Sequence, residues 1–163
     1  MSYLVPYDLA LKPGEEVRYR AFILQEVPDI PDDTYQLQEW YCPNPKCACQ
    51  EVRLQVLAFT SRRFVASFWV SLDPAQLPDP RLEPSEDTAL YALALQQQIA
   101  EDIKGDPAYV FRLRSHYNQV KAVAADPDHP AYQELIRWAN TGLPKPAPVK
   151  GRRKRHKKPD LPG

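Results

Sequence analysis

Glycine and long apolar runs are scarce in this chain of 163 residues. Only five glycines are present, which leaves little room for a glycine-rich loop of the kind that cradles phosphate groups. No apolar run approaches the roughly 20 residues that a membrane-spanning helix requires. The N-terminal segment also lacks a basic stretch followed by an apolar stretch, so we expect no secretory signal.

Cysteine is limited to three residues, Cys42, Cys47 and Cys49, which all lie within eight positions. An odd number of cysteines cannot form a complete disulfide framework within one chain. In a reducing compartment, clustered thiols more often bind a metal ion or react than pair permanently. The pattern therefore favours a cytoplasmic protein with a metal site or a reactive cluster.

The charge is balanced overall but is unevenly distributed along the chain. The sequence contains 21 Lys and Arg residues and 21 Asp and Glu residues. Seven of the cations lie within positions 150–158, which leaves 14 cations against 20 anions in residues 1–149, a formal net charge of −6. An acidic body therefore precedes a strongly basic segment, which is typical of a tail that meets an acidic partner.

The cysteine segment has the spacing of a site for a soft metal ion, and zinc is the first candidate. Cys47 and Cys49 are two positions apart, so an extended backbone directs both side chains the same way. Pro43 and Pro45 restrict the loop that brings Cys42 to the same ion, which lowers the entropy cost of closing the site. Three thiolates come from this loop, whereas a structural zinc site takes four ligands.

A histidine is the expected fourth ligand, and the chain contains three of them. His116 is the preferred candidate because it lies seven residues after Tyr109 and three after Leu113, on or beside the apolar stripe of a predicted helix. His129 falls in a predicted loop and also suits a helix N-terminus. His156 lies within the basic segment and is a poor structural ligand. A histidine on a helix face is equally typical of a hydrogen-bonded boundary residue, so both readings of His116 stay open here.

The first half of the chain alternates apolar and polar residues as strands do. The clearest example places Val52, Leu54, Val56 and Ala58 on one face. The short connection at Ser61 and Arg62, where the next strand begins, predicts a tight hairpin. Strands are predicted at 16–25 (Val17, Tyr19, Ala21 and Ile23 on one face), 34–41, 51–59, and 62–72 (Phe64, Ala66, Phe68 and Val70 on one face).

The second half of the chain carries the signals of helices. Ser85 is placed to cap a first helix, and Asp106 with Pro107 has the form of an acidic N-cap followed by proline at the first helical position. Strands followed by helices indicate an α+β fold, with a small antiparallel sheet of three to four strands and three helices packed on it. The predicted helices run from Ser85 to about Lys104, from Asp106 to about Ala124, and from about 128–130 to Gly142.

The C-terminal segment is predicted to lie outside the folded domain, because prolines interrupt it and it offers almost nothing apolar to bury. We expect a zinc-stabilised domain over residues 1–143 and a disordered, proline-rich basic tail over residues 144–163. No aromatic residue interleaves the cations, so binding to nucleic acid or a ribosome would follow charge. A solubility tail, or one that meets the acidic body, is the alternative. The predicted contacts are Lys150, Arg152, Arg153, Lys154, Arg155, Lys157 and Lys158.

An enzymatic use of the cysteines is the main alternative to a structural site. A catalytic zinc keeps one position open for water, and three cysteines are an unusual ligand set for that purpose. A nucleophile pair of Cys49 with His116 lacks an evident third group to orient it. Clustered thiolates also oxidise readily when they are exposed. The sequence therefore favours a non-enzymatic zinc-binding adaptor, with a metal- or thiol-dependent enzyme or a redox sensor as the alternative.

Two segments resemble uncharacterised bacterial proteins associated with SEC-C motif tails. The cysteine loop, residues 41–52, is similar to their Y-C-x-x-P-x-C-x-C-x-x-V pattern, and residues 106–121 are similar to their D-P-x-Y and H-Y-x-x-x-K elements. In such proteins a cysteine-rich zinc tail often closes the chain, whereas the corresponding end of this chain is basic and has no cysteine. The resemblance implies zinc binding and contact with nucleic acid or ribosomes, but no particular reaction.

Overall fold

The computed structural model describes residue 1 and residues 3–143. It confirms the α+β class, because one antiparallel sheet precedes three helices. The predicted disordered tail, residues 144–163, lies outside the described residues. The elements are β1 (Val5–Pro6), a 3-10 helix (Tyr7–Ala10), β2 (Arg20–Leu24), β3 (Asp33–Tyr41), β4 (Glu51–Ala58), β5 (Arg63–Ser71), β6 (Arg81–Leu82), α1 (Ala92–Gly105), α2 (Pro107–Ala124) and α3 (Tyr132–Thr141).

The sheet is centred on the three long strands β3, β4 and β5. β4 pairs with one edge of β3, while β1 and β2 share the other edge, opposite residues 40–41 and 33–37 respectively. β6 adds two residues to the outer edge of β5. The four predicted strands correspond to β2–β5, and the structure adds the two-residue strands β1 and β6, which are too short for a periodic pattern to detect.

One face of the sheet forms the core together with the helices. The inward residues of β4 are buried as their alternation predicts, and the opposite residues of β3 face the same way. Burying a valine or leucine side chain, such as those of Val52 and Leu54, stabilises the fold by about 1.5–3 kcal/mol. The helices contribute fully buried side chains to the same core, among them Leu95, Ile99, Leu113 and Leu135.

A bulge at the start of β5 corrects the prediction for that strand. Phe64 pairs with Leu57 and Ala66 pairs with Val56, so Val65 is an extra residue in the ladder. Phe64 therefore lies on the outer face and is 40% exposed, whereas the alternation placed it in the core. A count of every second residue cannot reveal an inserted one, because it assumes an unbroken period.

The face of β2 that points to the core is not the face that the sequence predicts. Ala21 and Ile23 are exposed, and Phe22 is half-buried with its ring stacked on Tyr35 at a centroid distance of 6.0 Å. β2 is an edge strand, so its apolar residues need not all be covered. The phase of such a strand is set by the particular contacts that it makes.

Arg20 makes the contacts that set the phase of β2. Its Nε lies 2.5 Å from Oδ2 of Asp102, and its Nη1 lies 2.8 Å from Oδ2 of Asp106. The hydrogen bond from Arg20 lowers the pKa of Asp106. The Asp106 carboxylate thus faces β2 and makes no side-chain cap on α2, so an ion-pair cluster joins the edge of the sheet to the helices.

The helix boundaries are partly as predicted. α2 follows Asp106 and has Pro107 in its first turn. α1 begins at Ala92, seven residues after the predicted cap at Ser85, whose N–H instead donates to Oγ1 of Thr88 at 2.9 Å. The N–H of Ala89 donates to the Val65 carbonyl at 2.8 Å. Because this segment is bonded to the edge of β5, the helix cannot begin at Ser85.

The N-terminal segment packs against α2 and α3. The Tyr7 hydroxyl donates to Oε1 of Gln119 at 2.6 Å. The Trp138 indole N–H donates to the Leu4 carbonyl at 3.1 Å. These pairs are separated by 112 and 134 residues in the sequence, so the N-terminal segment is held in place by the last two helices.

Gly142 ends α3 with a φ of 67° and gives the fold its first test. A Cβ at this position would lie 2.9 Å from Cδ1 of Tyr3. We expect Gly142→Ala to lower the free energy of unfolding by about 1–2 kcal/mol, because a left-handed alanine is strained and meets the Tyr3 ring. The measurement is urea unfolding of the full chain.

Gly105→Ala is the matched control, since a Cβ at Gly105 would meet no atom within 4 Å. Gly105 lies inside the last turn of α1, so alanine there should raise the free energy of unfolding by about 0.5–1 kcal/mol. Equal effects of the two substitutions would contradict this account of Gly142.

Candidate metal centre

The three cysteine sulfurs converge in the loop between β3 and β4. The sulfurs of Cys42, Cys47 and Cys49 all lie within 4.8 Å of one another. Each residue is partly exposed and carries a free thiol. Thiolates arranged tetrahedrally around zinc at about 2.3 Å stand about 3.8 Å apart, so the spacing of these three sulfurs fits a single shared ion.

Backbone turns within the loop bring the thiols together. The Asn44 side chain accepts a hydrogen bond from the N–H of Lys46 at 3.0 Å, and the Asn44 carbonyl accepts one from the N–H of Cys47 at 3.1 Å. Asparagine favours such turns because its side chain can bond to the backbone two residues later. Pro43, which restricts the start of the loop, is buried.

Lys121 of α2 ties the loop to the folded body. Its Nζ donates to the Asn44 carbonyl at 2.5 Å and to the Cys47 carbonyl at 3.1 Å. The ammonium group also lies 5.1 Å from the centre of the Tyr117 ring, within the range of a cation–π contact. One side chain of α2 thus holds both sides of the turn between Cys42 and Cys47.

Tyr117, one helical turn before Lys121, contacts the other end of the loop. Its hydroxyl lies 3.8 Å from the Cys49 sulfur and accepts a hydrogen bond from the N–H of Gln50 at 3.2 Å. Burial raises the pKa of Tyr117 to about 12, so the hydroxyl keeps its proton at neutral pH. The cysteine loop and the H-Y-x-x-x-K segment, which carry the resemblance, are therefore in direct contact.

The thiols differ in acidity. A hydrogen bond from the Cys49 side chain lowers the pKa of Cys47. Burial raises the pKa of Cys49, and the hydrogen bond to Cys47 raises it further. Cys47 is thus the first of this pair to become a thiolate, which is the form of cysteine that binds metal and reacts.

The predicted ligand His116 lies outside the group of three sulfurs. Its Nδ1 is 2.6 Å from Oε1 of Glu39. Its ring stacks on the Tyr7 ring at a centroid distance of 3.7 Å. In this arrangement, Tyr117 and Lys121 are the α2 residues that contact the cysteine loop, and His116 is hydrogen-bonded to Glu39. A role of His116 as the fourth ligand stays a prediction.

Glu39 is a fully buried acidic residue beneath α2. Its Oε1 accepts a hydrogen bond from the Tyr41 hydroxyl at 2.6 Å in addition to its contact with His116. The Tyr41 hydroxyl lies 3.2 Å from the Leu113 carbonyl as well. Burying a carboxylate is costly unless it is paired and hydrogen-bonded, so this cluster fixes α2 against the last residues of β3.

Sequence analysis did not identify Glu39, Tyr117 or Lys121 as site residues. Glu39 left a signal, because it takes an inward position in β3 that its neighbours fill with apolar side chains. Tyr117 and Lys121 are four residues apart and so share a helix face. Their contact with the cysteine loop depends on how α2 lies on the sheet, and the sequence does not give that placement.

The remaining predicted site residues lie away from the cluster or outside the described residues. Nδ1 of His129 accepts a hydrogen bond from the N–H of Ala131 at 3.0 Å, at the turn before α3. His156 and the seven cations of the basic segment fall within residues 144–163, which the structure does not describe.

Comparisons with protein-family models, with curated proteins and with solved structures find no significant match to this chain. Among the residues that the structure describes, no helix has both the length and the apolar character needed to cross a bilayer.

Lys121→Met tests the connection between α2 and the loop. We expect the affinity of the cysteines for Zn²⁺ to fall by about 10-fold, because groups that orient the residues around a metal typically change its affinity by this amount. Competition with a chromophoric chelator measures the affinity. Lys104→Met, at an exposed position in the last turn of α1, is the matched control, and equal affinities of the two variants would contradict the role of Lys121.

Proposed function

We propose that this protein is a non-enzymatic zinc-binding adaptor of the cytoplasm, whose basic tail contacts nucleic acid or a ribonucleoprotein. The observation that carries the metal part is the convergence of three sulfurs within 4.8 Å. Three partly exposed, unpaired thiols also favour a reducing compartment. The tail part is supported by the seven cations at positions 150–158.

Zinc is favoured over other metals by the chemistry of the donors. Thiolates are soft ligands that select zinc or iron–sulfur clusters, whereas magnesium and calcium prefer oxygen. Two carbonyl oxygens of the loop, those of Asn44 and Cys47, are already bound by the ammonium group of Lys121. The donors that converge at the cluster are the three sulfurs.

The fourth ligand is either His116 or a donor from outside the described residues. Glu39 occupies Nδ1 of His116, which leaves Nε2 as the ring nitrogen that could bind a metal, in the pattern of a carboxylate–histidine–zinc group. Binding would require the imidazole and the loop to come closer than the structure shows. His116→Gln distinguishes the two, because only a ligand role predicts that zinc affinity falls as far as it does in a cysteine variant.

A structural role for the metal follows from the position of the loop. The loop connects β3 with β4 and is bonded to α2. An ion held by its three cysteines would fix the conformation of the loop, and with it the contacts between the sheet and α2. Metal binding to such a site contributes directly to folding free energy. No substrate is needed for this role, which is why we favour an adaptor over an enzyme.

Cys47→Ser tests the metal site. We expect the purified full chain to contain close to one equivalent of zinc and the variant to lose most of it. If the free zinc concentration is about 100-fold above the dissociation constant, loss of binding should lower the Tm by about 5–10 °C. Elemental analysis and thermal unfolding measure the two effects.

Ala48→Ser is the matched control for Cys47→Ser, because it places the same hydroxyl at a neighbouring, exposed position of the loop. It should keep both zinc and Tm. Equal zinc contents in the two variants would contradict the proposal, and loss of zinc at an unchanged Tm would show a peripheral site.

A redox sensor or thiol-dependent enzyme is the second candidate, favoured by the same convergence of free thiols. Any two of the three thiols could form a disulfide by transferring two electrons and two protons to hydrogen peroxide, which would be reduced to two water molecules. Thiol counting with and without zinc separates the candidates. A closed zinc site protects all three thiols, whereas a sensor leaves one reactive in the zinc-loaded protein.

The tail is tested with a variant of equal length in which its seven cations are replaced by glutamine. If about five of them contact phosphates, a plot of log K for nucleic acid against log salt concentration should have a slope near −3.5 to −4.5 for the unmodified full chain. The variant should lose most of this slope. An electrophoretic mobility assay across several salt concentrations measures it. Equal retardation of both proteins would contradict contact through the tail.

A further inference from the structure

The face of the sheet opposite the helices carries an ordered set of aromatic, amide and guanidinium groups. Residues that pair directly across antiparallel strands point to the same side. Three rows follow from the observed register and cross the open face: Trp40, Arg53, Trp69 and Arg81; then Gln38, Gln55 and Ser67; then Gln36, Leu57 and Phe64.

A groove of about 680 Å³ lies on this open face. Its floor is formed by Arg53, Gln55 and Ser67 of the central rows, and one wall is formed by Arg62, Arg63 and Phe64 at the β4–β5 hairpin. The opposite wall is the segment 85–88, which is bonded to the edge of β5. The groove is thus built from regular strands and a fixed segment of chain.

The charge of the groove contrasts with the rest of the body. Three arginines line it against one acidic residue, Asp87, although residues 1–149 carry a net charge of −6. Arg53 is paired with Glu83 at 2.7 Å. Among the described residues, neither Arg62 nor Arg63 takes part in an ion pair, and both are exposed at the hairpin. The groove therefore offers two guanidinium groups to an anionic partner.

Aromatic rings accompany these charges. Phe64 is 40% exposed beside the two arginines, because the bulge at Val65 directs its ring outward. Trp69, on the same strand and two rows away from Phe64, is half-buried. Rows two residues apart on a strand are separated by roughly 6.6 Å, so the rows of Phe64 and Trp69 lie roughly 13 Å apart, with the row of Gln55 and Ser67 between them. Flat rings with hydrogen-bonding groups between them suit the faces and edges of unpaired bases in an extended strand.

We propose that the open face binds single-stranded nucleic acid. Arg62 and Arg63 contact the phosphates, Phe64 and Trp69 stack on bases, and Gln55 with Ser67 supplies hydrogen bonds to base edges. Arginine–phosphate contacts combined with aromatic stacking are the means by which proteins hold single strands. Duplexes fit this face poorly, because their bases are already stacked and paired.

The chain's own basic segment is a less suitable occupant of the groove. Its cations would repel Arg62 and Arg63. Gly142, at the end of α3, lies beside Trp40 and Arg53. Binding at the groove does not depend on tail contact, since it uses bases as well as phosphates.

The test compares two labelled oligonucleotides of about 12 residues, one of thymidine and one with the same phosphates but abasic sugars. Fluorescence anisotropy of the full chain at low salt gives both affinities. We expect wild-type protein to bind the thymidine strand at least about 5-fold more tightly, and Phe64→Ala to reduce this preference, because stacking needs both a base and a ring and Trp69 remains in the variant. The exposed position of Phe64 on the outer face leaves the core unchanged in this variant.

The double substitution Arg62→Gln/Arg63→Gln tests the phosphate contacts. It should reduce the log–log salt slope by about 1.4, since each phosphate contact with a single strand contributes about 0.7. Lys104→Gln/Arg112→Gln is the matched control, because it removes the same charge from exposed positions of α1 and α2, which cover the other face of the sheet. Equal slopes for the two double variants would overturn the proposal.

Equal affinity of the wild-type protein for the two oligonucleotides, or a preference that is undiminished in Phe64→Ala, would also overturn it. Binding through the tail would still be detected in that case as base-independent affinity, so failure here is distinct from failure of the tail proposal. The last control is competition with thymidine monophosphate. If it displaced the labelled oligonucleotide at the same total nucleotide concentration as the unlabelled oligonucleotide does, the groove would be a site for single nucleotides, and the proposal would be wrong.

Discussion

The docking of α2 against the end of β3 is the interaction on which the rest of the structure depends. Polar side chains within residues 116–121 of α2 hold the helix in this position. His116 reaches the buried carboxylate of Glu39, and Tyr117 and Lys121 reach the cysteine loop. Removing α2 would take away the His116 partner of Glu39 and would leave the loop without its contacts to Tyr117 and Lys121. The core and the candidate metal centre are thus stabilised by the same helix.

The sheet separates two candidate sites in space. Its helix-covered side ends in the cysteine loop, where the donors are sulfurs and the surrounding carbonyls are bonded to lysine. Its other side is open and carries arginine, glutamine and aromatic side chains in register. Because β3 and β4 contribute to both, a metal that orders the loop between them would also order the ends of the strands that form the open face. A structural ion and a binding face are therefore compatible roles for one small domain.

Local patterns in the sequence were sufficient for much of the fold. The alternation in β4, the proline in the first turn of α2 and the clustering of the cysteines each depend on neighbouring residues, and these predictions agree with the structure. The inserted Val65, the contact of Arg20 with two aspartates and the bonding of Ala89 to β5 depend on residues far apart in the sequence. They account for the reversed face of β2, the outward Phe64 and the late start of α1. The same limitation concealed Tyr117 and Lys121, because their role follows from the placement of a helix on a sheet.

The packing of the N-terminal segment has a consequence for synthesis on the ribosome. Leu4 and Tyr7 find their partners, Trp138 and Gln119, only after more than a hundred further residues have been made. The segment that contains Leu4 and Tyr7 is thus secured later than the sheet beside it, since contacts between distant residues form late. Until then β3 is open along one edge at Trp40 and Tyr41, so the nascent chain passes through a stage in which a sheet edge must be kept from pairing with other chains.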